Sequence, residues 1–423
     1  MTNNNTTIDD KDWYSVDNVA NVFLSSVNAR DTRSLRISCT LVDNINPELL
    51  QKALDETIKV WGPYQVRIRK GFFWHYIEAS DAIPVVAEES RRLCPLLYYP
   101  VDGEDLHYQV TWYHNRINLD IFHALADGLG AVIFLNAIVF NYLKLAYPDF
   151  KGKESPYGNL TATDMTEDSY MKFYEKGGKS PKSNKKAYHP KGKRLPHDQL
   201  QFFELHIPLD QVLPRAKEMK VSLTSYLGAR LFLALLAEMA PSDRSKPVTI
   251  SMPVNLRNFF PSNSARNFFQ NITITHMYTG NETLQSLAEK YAQTLKASLN
   301  IEDIKSMTDY YTHVQQIMIV RLIPLVFKQT GLRFLSKQND KQVSAILSNL
   351  GQIHVPEEMK PYIEYYGAYC SSENIFFTVC SFKNKLVISI TSPYQNVNAI
   401  KNFVRGFSAD NIPVELYSTE VVK

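Results

Sequence analysis

The apolar positions in the first third of the chain switch between the spacing of strands and that of helices. Apolar residues recur at helical spacing from Pro47 to Trp61, and a longer apolar run from Leu129 to Ala146 predicts a second helix. Short runs rich in β-branched and aromatic residues predict strands at 34–42, 64–68, 72–77, 106–113 and 117–122. This mixture predicts a strand-rich α+β unit.

The pattern is repeated in the second half of the chain. Predicted strands lie at 202–207, 248–254, 272–277, 343–349, 362–370, 375–381 and 385–390. Predicted helices lie at 210–219, 222–239, 283–299, much of 304–335, and 397–407. The chain is therefore divided into an N-terminal α+β half at 1–150 and a C-terminal half at 200–423.

The segment at 151–199 between these halves differs in composition. It is rich in Lys, Ser, Gly and Pro and poor in aliphatic residues, which favours a surface crossover. Its positive charge is either that of a solvated linker or an aid to attracting an anionic cofactor.

Composition and charge narrow the class of protein. The chain is 44% hydrophobic and 21% charged, as expected for a globular protein, and a net charge of +3 gives no reason to expect nucleic acid binding. Four scattered cysteines indicate neither a metal site nor a disulfide framework, which favours a cytoplasmic location. The longest apolar stretch is interrupted by Asn136, Asn141 and Lys144, so it predicts a buried helix and no transmembrane segment.

The chemistry is concentrated in residues 120–130, Asp-Ile-Phe-His-Ala-Leu-Ala-Asp-Gly-Leu-Gly. His123 ends a predicted strand, and Asp127 and Gly128 open the following helix. The glycines permit a tight corner and close packing of the helix. A histidine at such a corner suits general base chemistry, because its ordinary pKa leaves a neutral fraction at cellular pH.

This H-x-x-x-D-G pattern resembles the signature of the CoA-dependent acyltransferase superfamily. Two later segments strengthen the resemblance: residues 251–261, which contain Arg257, and residues 348–351, which read Ser-Asn-Leu-Gly. The sequence looks closest to the bacterial alcohol acetyltransferase-like or condensation-domain-like branches. It departs from condensation domains at Phe122, where they carry a further histidine, and it lacks the D-F-G-W-G motif of the plant enzymes.

The resemblance implies two subdomains of chloramphenicol-acetyltransferase type, each a mixed sheet with helices, and an active-site tunnel at their interface. It implies that His123 is the general base and that Asp127 pairs with Arg257 to hold the corner in shape. Asp127 has an alternative role as the cap of the following helix. The resemblance also implies direct attack without an acyl-enzyme, and no cysteine adjoins His123 to act as a nucleophile.

Donors for the oxyanion are left open by the sequence. The candidates are Ser348, Asn349, Asn267 and Asn271, each of which has an alternative role in backbone hydrogen bonding at a strand end. A cluster of phenylalanines has two interpretations, as core or as the lining of a channel: Phe259, Phe260, Phe268 and Phe269.

Three functions are consistent with these features. The first is a cytoplasmic O-acetyltransferase that uses a coenzyme A thioester, acetyl-CoA above all, with a small alcohol or amine as acceptor and no metal. The second is a condensation-like enzyme that takes its acyl group from an acyl carrier protein. The third is a non-catalytic binding protein of the same fold, which the intact His123, Asp127 and Arg257 argue against.

Overall fold

The computed structural model describes residues 13–90, 92–98, 106–155, 157, 165–180 and 185–419. Its strands are Tyr14–Ser15 (β1), Ser34–Leu41 (β2), Val66–Lys70 (β3), His75–Ala79 (β4), Ala87–Glu88 (β5), Tyr108–Tyr113 (β6), Arg116–Phe122 (β7), Gln201–Pro208 (β8), Val248–Asn255 (β9), Phe269–His276 (β10), Ala345–Gln352 (β11), Ile363–Cys370 (β12), Ile375–Phe382 (β13), Lys385–Ser392 (β14) and Glu415–Ser418 (β15). Every strand expected from the sequence is present, with ends shifted by a few residues.

The described helices are Asn18–Ser26 (α1), Pro47–Ile58 (α2), Gly128–Ala146 (α3), Ser169–Lys172 (α4), Leu209–Glu218 (α5), Leu223–Leu236 (α6), Leu284–Ser298 (α7), Ile301–Gln316 (α8), Met318–Leu322 (α9), Leu325–Asp340 (α10) and Asn398–Ala409 (α11). The helical pattern predicted at 304–335 is broken into three helices. One break lies at Pro324, because a proline disfavours helical backbone in the residue before it, and Ile323 is extended.

Two mixed sheets make up the halves of the fold. The order in the five-stranded sheet is β12-β2-β7-β6-β5, and in the seven-stranded sheet it is β10-β9-β11-β13-β14-β8-β15. A smaller sheet, β1-β4-β3, flanks the first. The α+β class with two subdomains predicted from the sequence is confirmed.

One strand crosses between the halves. β12 belongs to the C-terminal half in sequence, yet it pairs antiparallel with β2 in the sheet of the N-terminal half. A boundary at residue 200 therefore does not separate the two sheets completely. This exchange fixes the halves against each other through backbone hydrogen bonds.

Helix α3 forms the centre of the N-terminal core. Among the described helices, α3 is the one that is long and apolar enough to cross a membrane. A second candidate arises only if α5 and α6, bent by 86°, are taken as one span. In α3, 67% of the 18-residue apolar stretch is buried inside the protein, where the helix packs on α2 and β2. It packs as the core helix that the sequence predicted.

The connecting segment is not wholly a surface crossover, which corrects the prediction for 151–199. Its described parts bury Met165, Tyr170, Tyr188 and Leu195. The remaining positions, 156, 158–164 and 181–184, lie outside the described residues. The buried side chains explain how a segment with few aliphatic residues still packs along the C-terminal half, since tyrosines supply the apolar surface.

Candidate active site

His123 lies where groups from both halves meet. It directly follows β7, and its backbone N–H donates to the carbonyl oxygen of Arg33 at 2.8 Å. Its half-buried ring packs between Phe23 of α1, at 4.7 Å between ring centroids, and Phe269 of β10, at 5.5 Å. The imidazole is therefore held by aromatic contacts from two sides.

Asn267 fixes the tautomer of His123. The Asn267 amide nitrogen Nδ2 donates to the backbone oxygen of His123 at 2.8 Å, which turns the amide oxygen Oδ1 toward Nδ1 of the ring at 3.2 Å. An oxygen there accepts only from a protonated Nδ1, so the lone pair of the neutral ring lies on Nε2. No described residue hydrogen-bonds to Nε2.

The surroundings also keep this ring neutral. Burial lowers the pKa of His123 from its ordinary value of 6.5, while the charge of Asp127 and the hydrogen bond that the ring donates to Asn267 act in the opposite direction. Because the net shift is downward, the ring is unprotonated at neutral pH. A neutral imidazole whose Nε2 has no hydrogen-bond partner among the described residues has the lone pair that a general base needs.

Asp127 makes both of the contacts that the sequence left as alternatives. Its Oδ1 accepts from the Gly130 N–H at 3.0 Å and so caps α3, while Oδ2 accepts from Arg257 Nη1 at 2.5 Å and from the Phe268 N–H at 3.0 Å. The side chains of Asp127 and Arg257 are both more than nine-tenths buried. One carboxylate thus ties the helix start to the second half.

Arg257 shapes the loop that carries Asn267. It lies in a 3₁₀ turn after β9, and its Nη2 donates to the carbonyl oxygens of Ser264, at 2.8 Å, and Arg266, at 2.6 Å. The second of these carbonyls immediately precedes Asn267. Arg257 therefore acts on His123 indirectly, by holding the loop that places the amide.

Close backbone approach explains the glycine at position 130. A Cβ there would lie 2.2 Å from the carbonyl oxygen of Ala265, in the same loop. Gly128 similarly faces Leu350 at the end of β11, where a Cβ would be 2.7 Å from a methyl carbon. The motif glycines thus let α3 begin directly against the C-terminal half.

Two of the four oxyanion candidates already use their side-chain amides in hydrogen bonds within the protein. Asn267 is buried, with its amide donating to the His123 carbonyl and to Asp17 at 3.5 Å, so it has no donor left for a substrate. Asn349 donates to Thr224 at 2.9 Å and accepts from the Gly351 N–H at 2.8 Å, which shapes the bulge at the end of β11.

The side chains of the other two candidates make no hydrogen bond to described residues. Asn271 is exposed on the edge strand β10. Ser348 is half-buried on β11, on the opposite face from the buried Leu347. Of these two uncommitted donors, only the Ser348 hydroxyl is partly shielded from solvent.

The phenylalanine cluster divides between site and core. Phe269 contacts the His123 ring, whereas Phe268 is fully buried and packs with Phe260 and with Phe173 of the connecting segment. The core interpretation therefore holds for Phe268, and Phe269 belongs to the site.

Metal chemistry finds no support in the part of the chain that the structure describes. No group of three or more His, Cys, Asp or Glu side chains there is arranged to hold an ion. The four cysteines, Cys39, Cys94, Cys370 and Cys380, are buried and unpaired.

A comparison with protein families decides the assignment of the chain. The sequence model of the alcohol acetyltransferase family matches residues 170–396, which is more than half of the 423 residues. The chain belongs to the alcohol acetyltransferase family. A search of curated sequences gives no significant match.

Solved structures place this alcohol acetyltransferase in the fold of the CoA-dependent acyltransferases. TRI101 of F. graminearum, complexed with coenzyme A and T-2 mycotoxin, is 9% identical, with a TM-score of 0.64 over 96% of this chain and 99% of its own. Polyketide synthase associated protein 5 of Mycobacterium tuberculosis is 15% identical, with a TM-score of 0.60 over 93% and 96%. The first condensation domain of the CDA synthetase is 12% identical, with a TM-score of 0.60 over 94% and 95%.

Several contributors to the site of this acetyltransferase were missed in the sequence. Phe23 lies on α1, which begins at the cap Asp17 and has apolar residues at helical spacing, so the signal was present. Tyr170, in the connecting segment, donates from its hydroxyl to the carbonyl oxygen of Phe269 at 2.7 Å. No local pattern marks that contact, since the two residues are 99 positions apart.

Proposed function

We propose that this acetyltransferase moves an acetyl group from acetyl-CoA to the hydroxyl of a small alcohol, with Nε2 of His123 as the general base. The observation that carries the proposal is the pair of hydrogen bonds between Asn267 and His123, which leaves Nε2 unprotonated and without a described partner. The CoA donor is supported by family membership and by TRI101, which was solved with coenzyme A. Amines remain alternative acceptors.

The reaction needs no covalent enzyme intermediate. Nε2 takes the hydroxyl proton as the alcohol oxygen attacks the thioester carbonyl carbon, and negative charge gathers on the carbonyl oxygen. Ser348 is the proposed donor to that oxygen. The tetrahedral intermediate then collapses, the carbon–sulfur bond breaks, and the leaving thiolate takes the proton from the imidazolium.

The test of this proposal is thiol release from acetyl-CoA in the presence of a panel of primary and aromatic alcohols. We expect release that depends on both substrates and yields one ester for each thiol. Equal release with and without every alcohol and amine tested would contradict the transferase. Turnover only with an acetyl group on a carrier protein would replace the CoA donor with the condensation-like alternative.

Asn267→Ala is expected to lower kcat about 10–100-fold with little change in KM, because the ring loses the partner that fixes its tautomer and orientation. The acidic limb of the wild-type pH–rate profile should lie below 6.5, since burial lowers the pKa of His123 and the base acts only when unprotonated. Removing Asn267 removes a hydrogen bond that favours the protonated ring, so the limb should move to still lower pH.

The matched control is Asn263→Ala, an exposed position in the same loop, which should keep wild-type kinetics. An Asn267→Ala enzyme with a reduced rate but an unmoved acidic limb would indicate a structural role alone. A cytoplasmic location stays a prediction of the sequence.

A further inference from the structure

Helix α10 turns its apolar side away from the protein. Apart from the buried Leu325 at its start, its inward contacts are made by polar side chains: Lys328 donates to the carbonyl oxygen of Phe73 at 2.9 Å, Gln329 lies 3.2 Å from His75, and Ser336 is buried beside Arg33. The outward side, together with α9, presents large apolar side chains that are each more than half exposed. This set, here called the outer face, is Met318, Ile319, Leu322, Val326, Phe327, Phe334 and Leu335.

A neighbouring hairpin tip extends the outer face with aromatic rings. The Leu325 N–H donates to the carbonyl oxygen of Phe72 at 2.8 Å, which fixes the tip beside the start of α10. Phe72 is 72% exposed and Trp74 is 43% exposed. Aromatic side chains at an exposed tip are typical of groups that insert at a membrane–water interface.

The charges around the outer face have one sign. Residues 317–339 contain four basic residues and no Asp or Glu. Three of the four, Arg321, Arg333 and Lys337, are exposed, and Lys70 is exposed beside the hairpin tip. The acid that ends α10, Asp340, is half-buried, so bulky apolar groups among exposed cations complement a surface of anionic headgroups over acyl chains.

We propose that the outer face docks this acetyltransferase on an anionic lipid bilayer. The helices lie on the bilayer and do not cross it, since α9 has five residues and α10 sixteen, too few to span about 30 Å of hydrocarbon as one helix.

The docked face lies one helix away from the candidate base. Arg333 of α10 donates to the carbonyl oxygen of Ser25 in α1 at 3.1 Å, and Phe23 of the same α1 packs on the His123 ring. Docking would therefore bring the site close to alcohols dissolved in the bilayer. This last step rests on the proposed function, whereas the docking itself does not.

The experiment is co-sedimentation of the full chain with phosphatidylcholine vesicles, with and without phosphatidylglycerol. We expect binding to vesicles that contain phosphatidylglycerol, weakened several-fold by raising salt from about 0.05 to 0.5 M. The double variant Phe327→Ser/Phe334→Ser should lower the partition coefficient at least about tenfold, because two exposed rings no longer enter the bilayer. Leu416→Ser, on β15, is the matched control and should bind like the wild type.

Equal sedimentation of the wild type with both vesicle types and without vesicles would overturn the proposal. A second outcome would also overturn it: the wild type forms a concentration-dependent dimer in sedimentation velocity, the double variant does not, and neither protein binds vesicles. The outer face would then join two copies of the chain. Turnover of a water-soluble alcohol separates the two proposals, and it should be the same in the double variant as in the wild type. If the wild type and both variants show no turnover, the acetyltransferase reaction is contradicted, while the vesicle-binding result still stands.

Discussion

Replacing His123 with alanine is expected to lower kcat about 10²–10⁴-fold, the range that a positioned general base contributes. The physical reason is the state of one atom: Nε2 carries the lone pair of the ring because Nδ1 donates to Asn267. No described residue that hydrogen-bonds to His123 offers a second base, since Asn267 is an amide and Arg33 contributes a carbonyl oxygen. Thiol release at saturating alcohol measures the effect.

The control for this variant is His197→Ala, at an exposed position in the connecting segment, with full activity expected. Circular dichroism and the unfolding midpoint of His123→Ala show whether the fold is intact. An intact variant whose kcat stays within tenfold of the wild type would remove His123 from the role of base. The alcohol would then have to lose its proton to another group.

The corner that carries the candidate base was predictable because its signal is local. His123, Asp127 and Gly128 lie within six residues, at a strand–helix corner whose geometry follows from strand and helix periodicity. The role of Asn267 was not predictable in this way. It depends on a loop 144 positions further on, held by carbonyl contacts to Arg257 that leave no pattern of residue types.

The same distinction applies to the fold. Helices and strands with strong periodicity, such as α3 and β7, were predicted nearly to their ends. The exchange of β12 into the N-terminal sheet was not, because an apolar strand fits either sheet until tertiary packing selects one. Short elements such as β5 and β15 bury little and carry almost no signal.

Helix α10 illustrates a further limit of periodicity. The apolar spacing at 304–335 predicts helix, and the usual inference is that the apolar side faces the core. In the structure Lys328, Gln329 and Ser336 face inward and Phe327 and Phe334 face outward. Periodicity identifies a helix and its two sides, but contacts to the carbonyl oxygen of Phe73 and to the side chains of His75 and Arg33 show which side faces the protein.

Arg257→Met is expected to lower the free energy of unfolding by about 3–5 kcal/mol, because it leaves the buried carboxylate of Asp127 without its cation. Native domains are stable by only about 5–15 kcal/mol, so the loss is a large share of the total. The carbonyls of Ser264 and Arg266 lose their donor in the same step, which loosens the loop that carries Asn267. Urea unfolding followed by circular dichroism measures the change.

A double-mutant cycle with Asp127→Asn shows whether the loss comes from the pair or from the arginine alone. If the unpaired carboxylate dominates, the double variant should be less destabilised than the sum of the two single variants, because no buried charge is then left alone. Lys59→Met removes the cation of an exposed pair with Glu56 and should cost about 0–1 kcal/mol. An Arg257→Met protein as stable as Lys59→Met would contradict the view that the Asp127–Arg257 pair holds the helix start, the loop and the base together.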